Sequence, residues 1–226
     1  MPDPRLGVPY HRLKKAEIVW MATHRCVHKH TYLSHPGCYS PSARRTGFFD
    51  IETSNLAADF GIILTYCIKV LGERTILSGR LRHTDLAHAM VGDEDRRVVE
   101  ACVRDLSRFD IIVTYYGARF DIPYVRTRAQ AMGIDFPAYG TLVHLDLYDR
   151  IKRKFRLSSN RLENACRVLL GKTRKTRIEA KYWRAGARGD DESLKWILAH
   201  NRYDVLDLEA LWKATQPHGR HVETSV

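Results

Sequence analysis

From residue 46 onward the apolar residues arrive in short blocks separated by polar links. "GFFDIET" (47–53) has the composition of a strand. "FGIILTYCIKV" (60–70) is β-branched and aromatic, and "ERTILSG" (73–79) follows after a short link, so the three predict an antiparallel meander. "GDEDRRVVEACVRDLSRF" (92–109) opens with acids and spaces Val98, Val99, Cys102, Val103 and Leu106 at helical intervals. "DIIVTYYG" (110–117) reads as a buried strand. "FDIPYVRTRAQAMG" (120–133) reads as a helix with Asp121 near its cap, Pro123 in its first turn and Gly133 at its end. "TLVHLDLY" (141–148) predicts another strand, and helical spacing returns at 159–170 and 191–213. This order predicts an α/β fold, a mixed sheet with helices packed on it. Residues 1–45 differ in composition, with many histidines, and a "PSARR" linker closes them; we expect a small N-terminal segment (1–45) and one main domain (46–226).

One strand breaks its own pattern. Asp50 and Glu52 stand one residue apart, and a period of two puts both carboxylates on one face. Two ionised groups that close in a partly dry site repel and are poorly solvated. A divalent cation removes the cost, because Mg²⁺ and Mn²⁺ take carboxylate oxygens. Asp121 follows a second buried strand, and Asp204 lies in "LAHNRYDVLDLEALW" among Val205, Leu208 and Leu211. Alone, Asp121 reads as a helix cap and Asp204 as a helix-surface acid. Together with the pair they form a candidate metal-binding set.

The charge points to a partner. The 226-residue chain carries 37 Lys and Arg against 26 Asp and Glu, a net +11. Residues 150–188 hold 14 of the basic residues and two Glu, so this segment alone is +12 and the rest of the chain −1. A basic segment on a nearly neutral body is the footprint of a phosphate-binding surface. "RIKRKFR" (150–156) and "KTRKTR" (172–177) suit phosphates through Lys152, Arg153, Lys154, Lys172 and Lys175, and Tyr116 and Trp183 are candidates to stack on bases. The other reading of Tyr116 and Trp183 is as core aromatics. No run approaches the roughly 20 apolar residues of a membrane span, and the first residues lack the apolar core of a signal peptide, which predicts a cytoplasmic protein.

The five cysteines do not suggest a disulfide framework. Cys67, Cys102 and Cys166 lie in apolar segments and read as core. "HRCVHKHTYLSHPGC" (24–38) instead gathers His24, Cys26, His28, His30, His35 and Cys38. Thiolates and imidazoles at such spacing suit a structural zinc, held by Cys26, His30, His35 and Cys38, with His28 as the alternative to His30.

"FFDIET", "YYGARFDIPYV" and "HNRYDVLDLEAL", in this order and separation, resemble the three motifs of the DEDD (DnaQ-like) 3′–5′ exonucleases of the ribonuclease H-like superfamily, nearest to stand-alone relatives of the family B polymerase proofreading domains. The resemblance covers about 46–213. It implies a ribonuclease H-like sheet in which Asp50, Glu52, Asp121 and Asp204 hold two Mg²⁺ or Mn²⁺ ions and single-stranded nucleic acid, DNA before RNA, is hydrolysed from its 3′ end. A replication or repair partner would fit. The family places a Tyr four residues, or a His five residues, ahead of the last Asp as the base. Here His200 stands four before Asp204, and Tyr203 four before Asp207; the "DV" that follows 203 favours His200 with Asp204. Where the family often has Asn in its second motif, this chain has Tyr116 or Gly117. Asp146, at a strand end, is either a supporting acid near the site or a plain strand-terminating cap. The rival functions are an endonuclease on the same fold and a nucleic-acid-binding module without turnover.

Overall fold

The computed structural model describes residues 15–23, 25, 29–34, 45–138, 141–218 and 224–225. The chain divides into two compact units, Met1–Arg45 and Thr46–Val226. In the first, helix α1 (Lys15–Thr23) is followed by a backbone bridge between Arg25 and Thr31, and the Leu33 amide donates to the Met21 carbonyl at 3.3 Å. Cys26, His28, His35 and Cys38 of the expected zinc set lie outside the described residues; His30 is described and is exposed.

The second unit is a mixed sheet with helices on both faces. Strands β1 (Thr46–Thr53), β2 (Ile63–Val70) and β3 (Ile76–Arg80) form the expected antiparallel meander. Helices α2 (His83–His88) and α3 (Arg96–Leu106) lead to β4 (Ile111–Thr114), which pairs parallel to β1. Helix α4 (Asp121–Ala131) crosses to β5 (Val143–Asp146), parallel to β4. Helices α5 (Leu147–Lys154), α6 (Leu162–Leu170), α7 (Ala180–Gly186) and α8 (Asp191–Thr215) follow, and a two-residue strand β6 (Thr224–Ser225) closes the order β3-β2-β1-β4-β5-β6. No described helix is long and apolar enough to cross a membrane.

Strand alternation divides the core. Phe49 and Ile51 of β1 face one side, where Val98, Val99, Cys102, Val103 and Leu106 of α3 and Ile122, Val125 and Ala129 of α4 cover the sheet. Phe48 faces the other side with Val113, and α8 covers them with Val205, Leu208 and Leu211. Truncating any of these three to Ala removes contacts worth about 1–5 kcal/mol. Cys67, Cys102 and Cys166 are buried free thiols, as read from their apolar surroundings.

Several boundaries differ from the sequence pattern. The strand expected over 141–148 ends at Asp146, because the Asp146 carboxylate accepts from the Tyr148 amide at 3.0 Å and starts α5. α2 and α7 were not signalled: they have six and seven residues, too few for a helical apolar repeat to stand out.

Candidate active site

The alternation that buries Phe48 under α8 puts Asp50 and Glu52 on that same face, further along β1. Asp50 stands across from Cys67 and Glu52 from Thr65 on β2. The pairing slips directly after Glu52, and such a bulge ends regular pairing and turns the chain away. Thus β1 delivers two carboxylates to the point where the sheet opens.

Helix α8 supplies the facing groups. Asp190 caps it by accepting from the Ser193 amide at 2.9 Å, and its buried Val205 and Leu208 fix its rotation. One helical turn separates His200 from Asp204, so both point toward β1. His200 Nε2 lies 3.8 Å from Glu52 Oε1 and 3.7 Å from Asp204 Oδ2. One ligand atom from each of Glu52, His200 and Asp204 falls within 4.8 Å of the others. Asn201, fully buried on the next position, donates from Nδ2 to Asp50 Oδ2 at 3.1 Å. Asp121 is the first residue of α4, and its Oδ1 accepts from the Ile51 amide, between Asp50 and Glu52, at 3.0 Å. Asp121 is therefore less a helix cap than a link from α4 to the acidic strand.

Crowding and burial work against ionisation. Burial, then the charges of Asp121, Glu52 and Asp204, hold the Asp50 carboxyl well above the carboxylate range, against the pull of Lys175. Burial and Asp204 push Glu52 up to about 8. Asp121 rises to about 7, with burial outweighing the hydrogen bonds from the Ile51 amide and its own. Burial keeps the His200 imidazole below its usual range, against the nearby Asp204 charge, so it is neutral at pH 7. Its Nδ1 stands 2.9 Å from Thr176 Oγ1. With Nδ1–H donating to that hydroxyl, the Nε2 lone pair faces the carboxylates.

Sequence reasoning placed Lys175 on a phosphate track. Its ammonium instead turns inward and pairs with Asp204 Oδ2 at 2.7 Å. Burial opposes its charge, but Asp204, Asp50 and Glu52 together raise its pKa. Asp207 sets this up. It accepts from Thr173 Oγ1 at 2.7 Å and from the Arg174 amide and guanidinium at 2.8 Å, which pins the loop carrying Lys175. Asp207 is thus committed to that loop, and Tyr203 is partly exposed on α8, away from this use. Trp183 also turns inward: it packs against the core, its ring edge-on to His200 at 6.4 Å between centroids.

Beside the acids lies a cleft of about 550 Å³, lined by Asp50, Asp204 and Lys175 on one side and by Tyr115, Tyr116, Tyr148, Asn160 and Arg161 on the other. Tyr116 is 45% exposed and holds φ at +70°, a left-handed conformation costly for a side-chain-bearing residue. Asp146 stabilises it. Its carboxylate accepts from the amides of Tyr116 at 2.8 Å, Ala118 at 3.0 Å and Tyr148 at 3.0 Å. Next to it, a Cβ on Gly117 would stand 2.4 Å from Thr114, so only glycine fits this turn. The Tyr116 and Tyr148 rings meet edge to face at 5.0 Å, and the Arg119 guanidinium lies over both. Lys152, Arg153, Lys154 and Lys172 are exposed.

The donor set fits a divalent metal. It offers carboxylates and one neutral imidazole, and Asp204 Oδ1 is buried with no hydrogen-bond partner among the described residues. The sequence did not signal Asn201 as a partner of Asp50, or Lys175 as an internal cation. Asn201 stands one turn ahead of Asp204 in "HNRYD", which was the available sign; the inward turn of Lys175 had none inside a run of six residues with four basic ones.

The RNase_H_2 family model, of the RNase H superfamily, matches residues 47–216. A DNA polymerase from Methanocaldococcus jannaschii is 27% identical over 155 residues, 58% of this chain and 9% of the polymerase. One from Thermococcus litoralis is 26% identical over 181 residues, 70% of this chain and 10% of the polymerase. The chain thus spans about a tenth of the length of these relatives. Among solved structures, the family B DNA polymerase of Pyrobaculum calidifontis shares the fold with a TM-score of 0.60 at 21% identity, over 77% of this chain and 25% of that one. On a match that takes in its acidic strand, its sheet and its last helix, the chain belongs to the RNase_H_2 family of the RNase H superfamily.

Proposed function

We propose that residues 46–226 form a metal-dependent 3′–5′ exonuclease that hydrolyses single-stranded nucleic acid, DNA before RNA, by a two-metal-ion route. The observation that carries this reading is the convergence of Glu52, His200 and Asp204, from β1 and α8, with Asp50 and Asp121 beside them at the head of an aromatic cleft. Similarity to DNA polymerases supports nucleic acid as the substrate.

In this reading Asp50, Glu52, Asp121 and Asp204 hold the ions. When bound, Mg²⁺ or Mn²⁺ offsets the carboxylate charge, lowers the pKa of a water and neutralises charge developing on the phosphate. The protein does the rest. His200, neutral and oriented by Thr176, takes up the proton of the attacking water through Nε2. Lys175 holds Asp204 in place of a cation until one arrives. Tyr116, held out by Asp146, stacks on a base, and Lys152, Arg153, Lys154 and Lys172 attract phosphates without reading sequence. Residues 1–45 are a separate segment, with Cys26, His30, His35 and Cys38 as zinc ligands.

The test is digestion of linear and covalently closed circular single-stranded DNA with Mn²⁺, by the full chain and by Asp50→Ala. We expect mononucleotides from the 3′ end of the linear strand only, and no product with Asp50→Ala. Nicking of the circle would make the protein an endonuclease. Binding without any product would make it a non-catalytic module.

A further inference from the structure

Two of the four acids each accept from a neutral amide N–H. Asp50 Oδ2 accepts from Asn201 Nδ2 at 3.1 Å, and Asp121 Oδ1 accepts from the Ile51 amide at 3.0 Å. Glu52 and Asp204 are different: an imidazole nitrogen stands between them, and Asp204 Oδ2 accepts from the Lys175 ammonium. His200 Nε2 is 3.8 Å from Glu52 Oε1 and 3.7 Å from Asp204 Oδ2, the oxygen that Lys175 holds and that an ion would take over from it. Two atoms each about 2.1 Å from a common ion stand no more than about 4.2 Å apart; both imidazole distances lie inside that limit, and the three ligand atoms lie within 4.8 Å of one another.

Two further features match a metal-binding histidine. A ligating imidazole is held by a hydrogen bond at its other nitrogen, and here Thr176 Oγ1 lies 2.9 Å from Nδ1. Asp204, 95% buried, has Lys175 on Oδ2, while Oδ1 has no hydrogen-bond partner among the described residues.

We propose that in the substrate-free protein His200 is itself a metal ligand through Nε2, together with Glu52 and Asp204, and that it makes the site prefer Mn²⁺ to Mg²⁺. Mg²⁺ is a hard ion that keeps its water and oxygen ligands, whereas Mn²⁺, though the weakest binder of the first-row divalent ions, exchanges a water for an imidazole more readily than Mg²⁺ does. The inference rests on the metal-dependent reading above and adds to it. One lone pair serves one partner at a time, so His200 must leave the ion before it accepts a proton.

The test is pulsed electron paramagnetic resonance of the full chain loaded with Mn²⁺ and free of nucleic acid, with calorimetric titration of Mn²⁺ and Mg²⁺ alongside. We expect a ¹⁴N coupling to Mn²⁺ that His200→Gln removes, and a fall in Mn²⁺ affinity while Mg²⁺ affinity holds. Thr176→Val keeps the imidazole and removes its support; it weakens Mn²⁺ binding about tenfold. Mn²⁺ bound without nitrogen coupling, or a coupling that survives His200→Gln, overturns the ligand role. The same samples are assayed on a linear oligonucleotide. Cleavage without coupling defeats the ligand role alone, coupling without cleavage defeats the nuclease reading alone, and failure of the wild-type chain to bind Mn²⁺ defeats both.

Discussion

Replacing Glu52 by glutamine removes one charge from the acidic cluster while keeping the shape of the side chain. Burial and Asp204 raise the Glu52 carboxyl from 4.5 to about 8. A group raised on folding contributes stability that is whole below its unfolded pKa and is lost as pH climbs through the folded one. Between pH 5 and pH 7.5 that linkage removes roughly 3 kcal/mol from the metal-free wild-type protein. An amide does not titrate, so Glu52→Gln escapes this loss. The assay is thermal unfolding in EDTA at both pH values. For a chain of this size 1 kcal/mol moves Tm by about 2–4 °C, so the wild-type Tm should drop roughly 6–12 °C more than that of the variant. Mn²⁺ at pH 7.5 should then restore the wild-type protein and do little for Glu52→Gln. Equal drops for the two proteins would refute the claim that Glu52 is held in an unfavourable charge cluster.

Lys175→Gln takes away the cation paired with Asp204; the metal-free protein should lose about 1 kcal/mol at pH 7.5, and Mn²⁺ should close the gap, as read by the same melts. Asp146→Ala leaves three backbone amides without their acceptor, for a stability loss of about 2–3 kcal/mol, and it frees the Tyr116 turn, so KM for an oligonucleotide should rise more than kcat falls. Because burial depresses the His200 imidazole below 6.5, the neutral base persists to acidic pH. In saturating Mn²⁺, which keeps the carboxylates ionised, the acidic limb of kcat should therefore fall below pH 6.5, and His200→Gln should cost about 10²–10⁴ in rate and flatten that limb. If Cys26 and Cys38 serve a structural zinc, the purified chain should contain one zinc by elemental analysis, and Cys26→Ser with Cys38→Ser should remove it.

The sheet was legible because its strands are short β-branched and aromatic runs bounded by polar links, and the two-residue period of a strand placed Asp50 and Glu52 on one face. α8 was legible from the helical spacing of Val205, Leu208 and Leu211, and in the fold their burial fixes where His200 and Asp204 point. What was hidden depends on contacts distant in sequence. Lys175 looks like any member of "KTRKTR" until Asp207, on another element, pins Thr173 and Arg174 and turns it inward. The strained backbone of Tyr116 has no sequence sign, since the Asp146 that stabilises it lies 30 residues on. Trp183 sits among basic residues and so suggested a stacking surface, yet a bulky indole gains more by packing against the core beside His200.

The account depends on divalent ions occupying the space between β1 and α8. Anomalous diffraction from crystals of the full chain soaked in Mn²⁺ at pH 7.5 tests this directly. The account predicts manganese peaks bonded to Glu52 and Asp204 and bordered by Asp50 and Asp121, with Lys175 moved off Asp204. Crystals that keep the Lys175–Asp204 pair and show no peak there in saturating Mn²⁺ would contradict it.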